Sequence, residues 1–250
     1  MFCIEYYIGT IKYLNDRLSA LPDYSYGVHL GKTVIRYRDS GSNKLREVFE
    51  TSRKWDDYSQ IAKERSHLIN EIKRLKAELT DIYNIDYSKV EHLYSLNNAA
   101  KHKYDTEFWN KLPPEQTSYE NNNNYYFGED HFRSRVEVKI AEELMDLHLQ
   151  YRYDVRVKAN GSPYYVDFVV HLPQFNCCFL IEFFGKMDDI KYFNDNRSKI
   201  DDYIKEGLYN GQDILVLCGG GASMPSVHVI REQIMAMVNS IALQHTVRNT

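Results

Sequence analysis

The second half of the chain alternates between short apolar runs and segments with apolar residues at helical spacing. The apolar runs, each bounded by turn residues, predict strands at 151–157, 164–171, 178–184 and 213–217. Apolar positions three and four residues apart predict helices at 131–148, at 190–205 and after Pro225. The resulting order, αβββαβα, predicts an α/β fold in which a mixed central sheet is flanked by helices.

The first half has a different pattern, which predicts a mixed and mainly helical region. Apolar runs at 3–11 and 32–37 predict strands, whereas apolar residues at alternating spacings of three and four predict one long helix over 53–83. A second helix near 90–94 is expected to fold back on the first. We favour this intramolecular hairpin, because a short heptad stripe interrupted by Arg65 is a weak seam. A coiled coil that forms a homodimer, or an arm that binds DNA or a protein partner, is the alternative.

A polar tract separates the two halves. Two consecutive prolines precede a run of four asparagines at 121–124. Segments of this composition have no apolar surface to bury, so residues 113–125 are predicted to form a linker. The chain is therefore expected to comprise an N-terminal region at 1–112 and a second domain at 126–250.

Composition and charge narrow the classes of function. The chain has 250 residues, of which 43% are hydrophobic, and a formal net charge of −4. Basic and acidic residues balance at 18 each in residues 1–125, whereas 126–250 holds 13 basic and 17 acidic residues. A net acidic protein does not coat nucleic acid through bulk positive charge. The charge is compatible with a metal-dependent enzyme that cuts nucleic acid, because such a site needs local carboxylates.

Other features predict a cytoplasmic protein with no membrane association. No apolar run approaches the ~20 residues that a membrane span requires, and Glu5 lies where a secretory signal would be apolar. The cysteines, Cys3, Cys177, Cys178 and Cys218, form no C-x-x-C pair, which indicates reduced thiols. No histidine has the sequence spacing of a metal ligand, so a structural zinc site is not expected.

Three carboxylates lie where the pattern predicts buried surface. Glu137 shares the apolar helix face that includes Ile140, and Asp167 and Glu182 each interrupt a strongly apolar strand. A buried carboxylate is costly unless it is paired or bound to a metal. A capping box that begins at Ser134 would explain Glu137 on structural grounds alone. Because a short turn joins the two strands, both of their acids can approach a single hard divalent cation.

In their order and separation, these segments resemble the PD-(D/E)XK phosphodiesterase superfamily, the restriction-endonuclease-like nucleases. In one branch, found in bacteria and their phages, the motifs read RSKSE, PDF, WEHFGMMD and Y-x6-K-x3-Y. The corresponding segments here read RSRVE at 133–137, VDF at 166–168 and IEFFGKMDD at 181–189. The helix that follows carries Tyr192, Lys199 and Tyr203 at the matching spacing. The resemblance covers residues 126–217 and implies a restriction-endonuclease-like αβββαβ core.

The chain departs from the superfamily pattern at the lysine that orients the attacking water. That position, two residues after the second acid, is Phe184 here. Lys186 on the same segment and Lys199 on the next helix are the two available replacements. We favour Lys199, because the branch keeps its lysine there. The alternatives are a solvated helix lysine paired with Asp195 or Asp202, and an ordinary loop charge at Lys186.

The resemblance implies an endonuclease that depends on Mg²⁺ or Mn²⁺. Asp167, Glu182 and the backbone carbonyl of Phe183 are expected to bind the metal, with Glu137 helping directly or through water. The expected substrate is nucleic acid, DNA by resemblance. Each nearby basic residue is equally well explained as ordinary surface charge. Those that are expected to contact phosphates are Arg133, Arg135, Arg152, Arg156 and Lys158.

A catalytically degenerate nuclease fold is the alternative interpretation. It is motivated by the lysine that is missing at position 184. Such a domain would bind nucleic acid or a protein partner without cutting it.

Overall fold

The structure is a computed structural model, described for residues 1–39, 41–97, 99–113, 125–221 and 223–249. The chain divides into two compact units. One comprises Tyr7–Ser95 with Arg248–Thr250, and the other comprises Met1–Tyr6 with Leu96–Val247. The division at residues 95 and 96 lies before the predicted linker at 113–125, most of which is outside the described residues.

A small antiparallel sheet and a long helix form much of the unit that contains Tyr7–Ser95. The elements up to its boundary are α1 (Ile4–Ala20), β1 (Ser25–His29), β2 (Lys32–Arg38), β3 (Leu45–Phe49), α2 (Trp55–Tyr83), α3 (Tyr87–Val90) and β4 (Tyr94–Leu96). Strands β1, β2 and β3 pair in that order, so the predicted strand at 32–37 is confirmed as β2. Ile35 and Val48 of the sheet share a core with Ala62 of α2.

The first helix corrects a prediction from the sequence. The predicted strand over residues 3–11 is wrong, because this segment begins helix α1. A short apolar run does not by itself distinguish a strand from a buried helix. Here Tyr7, Ile8, Ile11 and Leu14 recur at helical spacing, and all four are buried.

Helix α2 confirms the predicted long helix and most of its apolar stripe. Its buried residues are Ala62, Leu68, Ile72, Leu75 and Leu79. Ile82, at the end of the stripe, is exposed. The helix that runs antiparallel to α2 is α1, since the Tyr7 and Tyr83 rings lie 6.3 Å apart at one end and Arg17 pairs with Glu64 at the other. The long helix therefore packs with the helix before it. The predicted second helix near 90–94 is confirmed in part, because α3 and a 3₁₀ turn at Glu91–Leu93 follow α2, and Lys76 Nζ of α2 lies 4.8 Å from the centre of the Tyr87 ring of α3.

The other unit is built around a four-stranded mixed sheet. Its elements are α4 (Thr106–Lys111), β5 (Tyr125–Phe127), β6 (Asp130–Phe132), α5 (Arg135–Asp146), β7 (Gln150–Ala159), β8 (Ser162–Leu172), β9 (Cys177–Phe184), α6 (Ile190–Lys205), β10 (Ile214–Cys218), α7 (Val227–His245) and β11 (Thr246–Arg248). The sheet order is β10-β9-β8-β7, with β9 and β10 parallel and the other pairs antiparallel. From α5 to α7 the elements follow the predicted order αβββαβα, and the mixed α/β class is confirmed.

Helices pack against the sheet and bury most of its apolar side chains. On one face, Val169 and Leu180 pack with Tyr203 of α6 and with Tyr104, which precedes α4. Helix α5 contacts β7 and α7, and α7 contacts β10. Across the described residues, no helix combines the length and the apolar character that crossing a membrane requires.

Candidate functional site

The three carboxylates that the sequence singles out come together in one buried cluster. Glu137 lies in the first turn of α5, Asp167 in β8 and Glu182 in β9, and these residues are 6%, 6% and 2% exposed, respectively. Burial, reinforced by the negative charges of Glu182 and Glu137, raises the pKa of Asp167 well above its usual value. Acids from three separate elements therefore lie within electrostatic reach of one another.

Asp167 lies at an interruption in the sheet. Asp154, opposite it on β7, has a left-handed backbone with φ of 53° and is skipped in the ladder. Pairing of β8 with β9 begins one residue later, at Phe168. The Asp167 carboxylate instead accepts a hydrogen bond from the Phe183 N–H (2.6 Å) and pairs with Nη2 of Arg133 (2.5 Å). Local ladder disruptions of this kind re-aim side chains and occur often near active sites.

Glu182 faces helix α6 and is neutralised from that side. Its Oε1 lies 2.7 Å from Nζ of Lys199 and accepts a hydrogen bond of 2.5 Å from the Tyr203 hydroxyl. Lys199 and Tyr203 are four residues apart, so they share one face of the helix. Burial raises the pKa of Glu182, while Lys199 and Tyr203 act to lower it. Lys199 also donates to the Tyr165 carbonyl oxygen at 2.9 Å, which fixes the position of its ammonium group.

Glu137 combines the capping geometry with a place in the cluster. Ser134 is the N-cap of α5, and its hydroxyl accepts a hydrogen bond from the Glu137 N–H at 3.3 Å. The Glu137 carboxylate accepts from the Tyr153 hydroxyl at 2.7 Å and from the Arg133 N–H at 2.9 Å. The capping box is therefore met only in part, because the Glu137 carboxylate accepts the N–H of Arg133 and not that of the N-cap residue Ser134. The place of this carboxylate beside Arg133 and Tyr153 agrees with the second explanation as well.

Arg133 places a positive charge inside this cluster. Besides Asp167, it approaches Asp154 Oδ1 at 3.5 Å, and its guanidinium lies 5.7 Å from the centre of the Tyr153 ring. Its side chain remains 27% exposed. A contact of Arg133 with a substrate phosphate stays a prediction, to which the structure adds a second role in holding Asp167.

Lys199 and Lys186 were the two candidates to replace the lysine that is absent at position 184, and Lys199 is the one that contacts an acid of the cluster. Lys186 lies exposed in the turn after β9, where its carbonyl oxygen accepts the Asp189 N–H. Phe184, at the superfamily's lysine position, is buried. The geometry therefore favours Lys199 over Lys186 as the replacement for the missing lysine.

The next basic residues of the sequence prediction have different surroundings. Arg135 is exposed at the start of α5, with its guanidinium 5.8 Å from the centre of the Tyr125 ring. Arg152 lies over the Trp109 ring at 4.5 Å and donates to the Trp109 carbonyl oxygen at 3.1 Å. Arg152 thus ties α4 to the sheet, and this structural role accounts for its position.

Arg156 and Lys158 lie on strand β7, which forms one edge of the sheet. Both are exposed, and they line a cavity of about 350 Å³ together with Val157, Gly161 and Pro163. A basic groove at a sheet edge is a suitable surface for a phosphate backbone. Their contact with nucleic acid stays a prediction.

Several tyrosines complete the cluster, and the sequence did not assign them to the site. Tyr153 binds Glu137 and Tyr203 binds Glu182, as described above. Burial raises the pKa of Tyr192, and the charges of Asp167 and Glu182 raise it further. The motif spacing on α6 contained the signal for Tyr192 and Tyr203. No local sequence pattern distinguished Tyr153 from the other tyrosines of the chain as a residue of the site.

Comparisons of the chain with protein-family models, curated proteins and solved structures found no match.

Proposed function

We propose that this chain is a divalent-metal-dependent nuclease that hydrolyses phosphodiester bonds of nucleic acid, with DNA as the expected substrate. One observation carries the proposal: Glu137, Asp167 and Glu182 are buried within electrostatic reach of one another, and Lys199 contacts Glu182. Carboxylates at this depth are costly to stability and are kept mainly where chemistry uses them.

The arrangement of the elements supports a restriction-endonuclease-like core. The acids lie on the helix, the second strand and the third strand of an αβββαβ unit, and the fourth strand, β10, runs parallel to β9. This is the order that the motif resemblance implies. The support comes from topology and motif order together, since either alone is common among α/β proteins.

The donor set fits Mg²⁺ or Mn²⁺. Both ions prefer oxygen ligands, and Mg²⁺ is usually held by one or two carboxylates together with water and phosphate. Burial is the main cause of the raised pKa of Asp167, and the charges of Glu182 and Glu137 add to it; a bound cation would favour the ionised carboxylate. Asp167, Glu182 and the Phe183 carbonyl would hold the ion, with Glu137 nearby. When bound, the ion would supply charge neutralisation at the phosphate and a more acidic bound water.

The chain's own side chains would act around that centre. Lys199, held between Glu182 and the Tyr165 carbonyl oxygen, would orient the attacking water and offset negative charge in the transition state. Arg133 would keep Asp167 in place while its exposed part meets the phosphate. Arg135, Arg156 and Lys158 would contact the backbone of the substrate.

A cleavage assay tests the proposal. Purified protein is incubated with single- and double-stranded DNA and RNA in Mg²⁺, in Mn²⁺ and in a chelator. We expect metal-dependent cleavage that Glu182→Gln and Glu137→Gln each reduce by about 100-fold or more. Glu142→Gln is the matched control, because Glu142 is an exposed acid on the same helix as Glu137. Unchanged cleavage in both site variants would refute the proposal.

A catalytically degenerate binding module is the second candidate, and one observation favours it. Arg133 and Lys199 already neutralise Asp167 and Glu182, respectively, without a metal. The two candidates differ in metal binding. For the nuclease, Mg²⁺ at 100 times its dissociation constant should stabilise the protein by about 2.7 kcal/mol, and Asp167→Asn should abolish that shift. A degenerate module should show no stabilisation by Mg²⁺ and still bind nucleic acid.

A further inference from the structure

A second cluster of potential ligands lies away from the acids, in the same compact unit. His102, Cys177 and His245 each offer one ligand atom, and these atoms all lie within 4.8 Å of one another. Cys177 is fully buried, His245 is 5% exposed, and the side chain of His102 is 1% exposed. The proposed nuclease mechanism uses none of the three.

Backbone hydrogen bonds fix the segments that carry these residues. Cys178 N–H donates to the Tyr104 carbonyl oxygen at 2.8 Å, which joins the segment of His102 to the start of β9. The Asn97 N–H donates to the carbonyl oxygen of His245 at 2.7 Å, which joins the same stretch of chain to the end of α7. The cluster is therefore positioned by secondary structure on two sides, as a binding site for an ion requires.

The two imidazoles meet through their Nε2 atoms, which are 3.0 Å apart. The ring centres are 5.1 Å apart, so the nitrogens point towards each other. Without a metal, one N–H···N hydrogen bond satisfies this pair. In tetrahedral zinc sites, Zn–N distances of about 2.0–2.1 Å place two ligand nitrogens about 3.3 Å apart. A rotation of each ring by about 35° would bring both nitrogens to one ion in tetrahedral geometry.

The other nitrogen of His102 supplies an independent observation. Nδ1 of His102 is buried and has no hydrogen-bond partner among the described residues. Its nearest acid is Asp213, whose Oδ1 lies 3.7 Å away and which is itself buried. Histidines that bind a metal through one nitrogen commonly donate the other N–H to a carboxylate, which fixes the ring and its tautomer. At 3.7 Å the two atoms are not hydrogen-bonded, but Asp213 is placed to accept this N–H when the His102 ring turns to bind an ion.

We propose that His102, Cys177 and His245 bind one structural Zn²⁺ ion, with a water molecule as the fourth ligand and Asp213 beside His102. Imidazole and thiolate ligands suit Zn²⁺, whereas Mg²⁺ and Mn²⁺ prefer oxygen ligands. On coordination, the thiol of Cys177 releases its proton to solvent. The histidine that donated its Nε2–H in the metal-free pair loses that proton from Nε2 and carries one on Nδ1 instead, so that both Nε2 lone pairs face the ion. The ion would join the segment before α4, the start of β9 and the end of α7. The low exposure of the three ligand residues fits a structural role of the ion.

Metal analysis of the wild-type protein, purified without chelator, is the first test. We expect about one zinc ion per chain, and a fall in melting temperature on chelation that added Zn²⁺ reverses and Mg²⁺ does not. Replacing zinc by Co²⁺ should give a thiolate-to-cobalt charge-transfer band. This readout in the wild-type protein does not depend on whether any variant folds.

Cys177→Ser is expected to lose the bound zinc and the cobalt band. Cys178→Ser is the matched control, because Cys178 is equally buried but its Sγ lies 3.5 Å from the Asp105 carbonyl oxygen. It should keep both signals. A protein that contains no zinc and is not stabilised by added Zn²⁺ would show that the histidines form only a hydrogen-bonded pair. Zinc retained by Cys177→Ser would equally overturn the proposal. Neither result bears on cleavage, which depends on the acids.

Discussion

Strand β9 carries a different buried polar cluster near each end. Cys177, its first residue, belongs to the histidine and cysteine cluster, and Glu182 belongs to the acid cluster. Glu182 follows Cys177 by five positions, which corresponds to about 16 Å along a strand. Side chains that are an odd number of positions apart point to opposite faces of the sheet. The two clusters are therefore separate, and we propose different ions for them because one offers carboxylate oxygens and the other imidazole and thiol groups.

The clusters also differ in how their burial is stabilised. Two of the acids are paired with cations from the chain, Asp167 with Arg133 and Glu182 with Lys199, which offset the cost of burying an ionised carboxylate. The histidines and the thiol are stable in neutral form, which burial tolerates far better. Without a metal, the acid cluster is therefore expected to lower the stability of the protein, whereas the histidine and cysteine cluster is expected to pack well.

Asp167→Asn is expected to separate the two clusters most strongly. Removing one of the two principal metal ligands should reduce Mg²⁺-dependent cleavage by about 1000-fold or to background. The zinc content of the same protein should be unchanged, because the histidine and cysteine cluster is on the other face. Steady-state cleavage and metal analysis on one preparation measure both. Normal cleavage would show that Asp167 is not a metal ligand of the nuclease. Loss of zinc together with cleavage would show that the two clusters are not independent.

Lys199→Met should produce the next largest effect, a loss of about 100-fold in the rate of cleavage at saturating metal. The reason is that Lys199 is the cation in contact with Glu182. Lys186→Met is the matched control, since Lys186 is exposed in the following turn and should have nearly wild-type activity. If Lys186→Met were the inactive variant, the choice between the two lysines would be reversed.

Most of the fold around β9 could be predicted from local patterns. The helix expected at 190–205 forms as α6, because Asp189 caps it and its apolar residues keep a helical period. The turn at Asn160 and Gly161 was visible between two apolar runs, and both residues have positive φ. The segment at 3–11 was not predictable in this way, because its apolar run is too short to favour one period and its burial decides the outcome.

The two clusters likewise differ in whether a local sequence pattern could reveal them. Asp167 and Glu182 were recognisable because a charge inside an apolar strand breaks a local pattern. His102 and His245 are separated by 143 residues, and Cys177 resembles any buried residue at the start of a strand. Their proximity is a product of tertiary structure alone. This is why the sequence offered no reason to expect the zinc site that we propose from the geometry.

Asp213→Asn tests how far His102 depends on an outer partner. Loss of the carboxylate charge should weaken zinc affinity by about 10- to 100-fold, the usual effect of removing such a partner. Asparagine keeps an acceptor for the Tyr209 N–H, so the local backbone should be preserved. Asp201→Asn, at an exposed position, serves as control. Competition with a chelator of known affinity measures the change, and an unaltered affinity would remove Asp213 from the site.

The smallest expected effect is a difference in pH dependence. Because the pKa of Asp167 is raised in the folded state, the folded protein binds a proton more readily than the unfolded chain. This contribution to stability is complete below the ordinary carboxyl pKa and is lost as the pH rises through the folded-state value. In chelator, the free energy of unfolding of the wild type should therefore fall relative to Asp167→Asn as the pH rises, by at most about 1.4 kcal/mol per unit. Saturating Mg²⁺ should remove this slope, because a bound cation stabilises the ionised carboxylate. Denaturant unfolding at several pH values measures the difference. If the free energy of unfolding varied with pH in the same way in both proteins, the pKa of Asp167 would not be raised in the folded state.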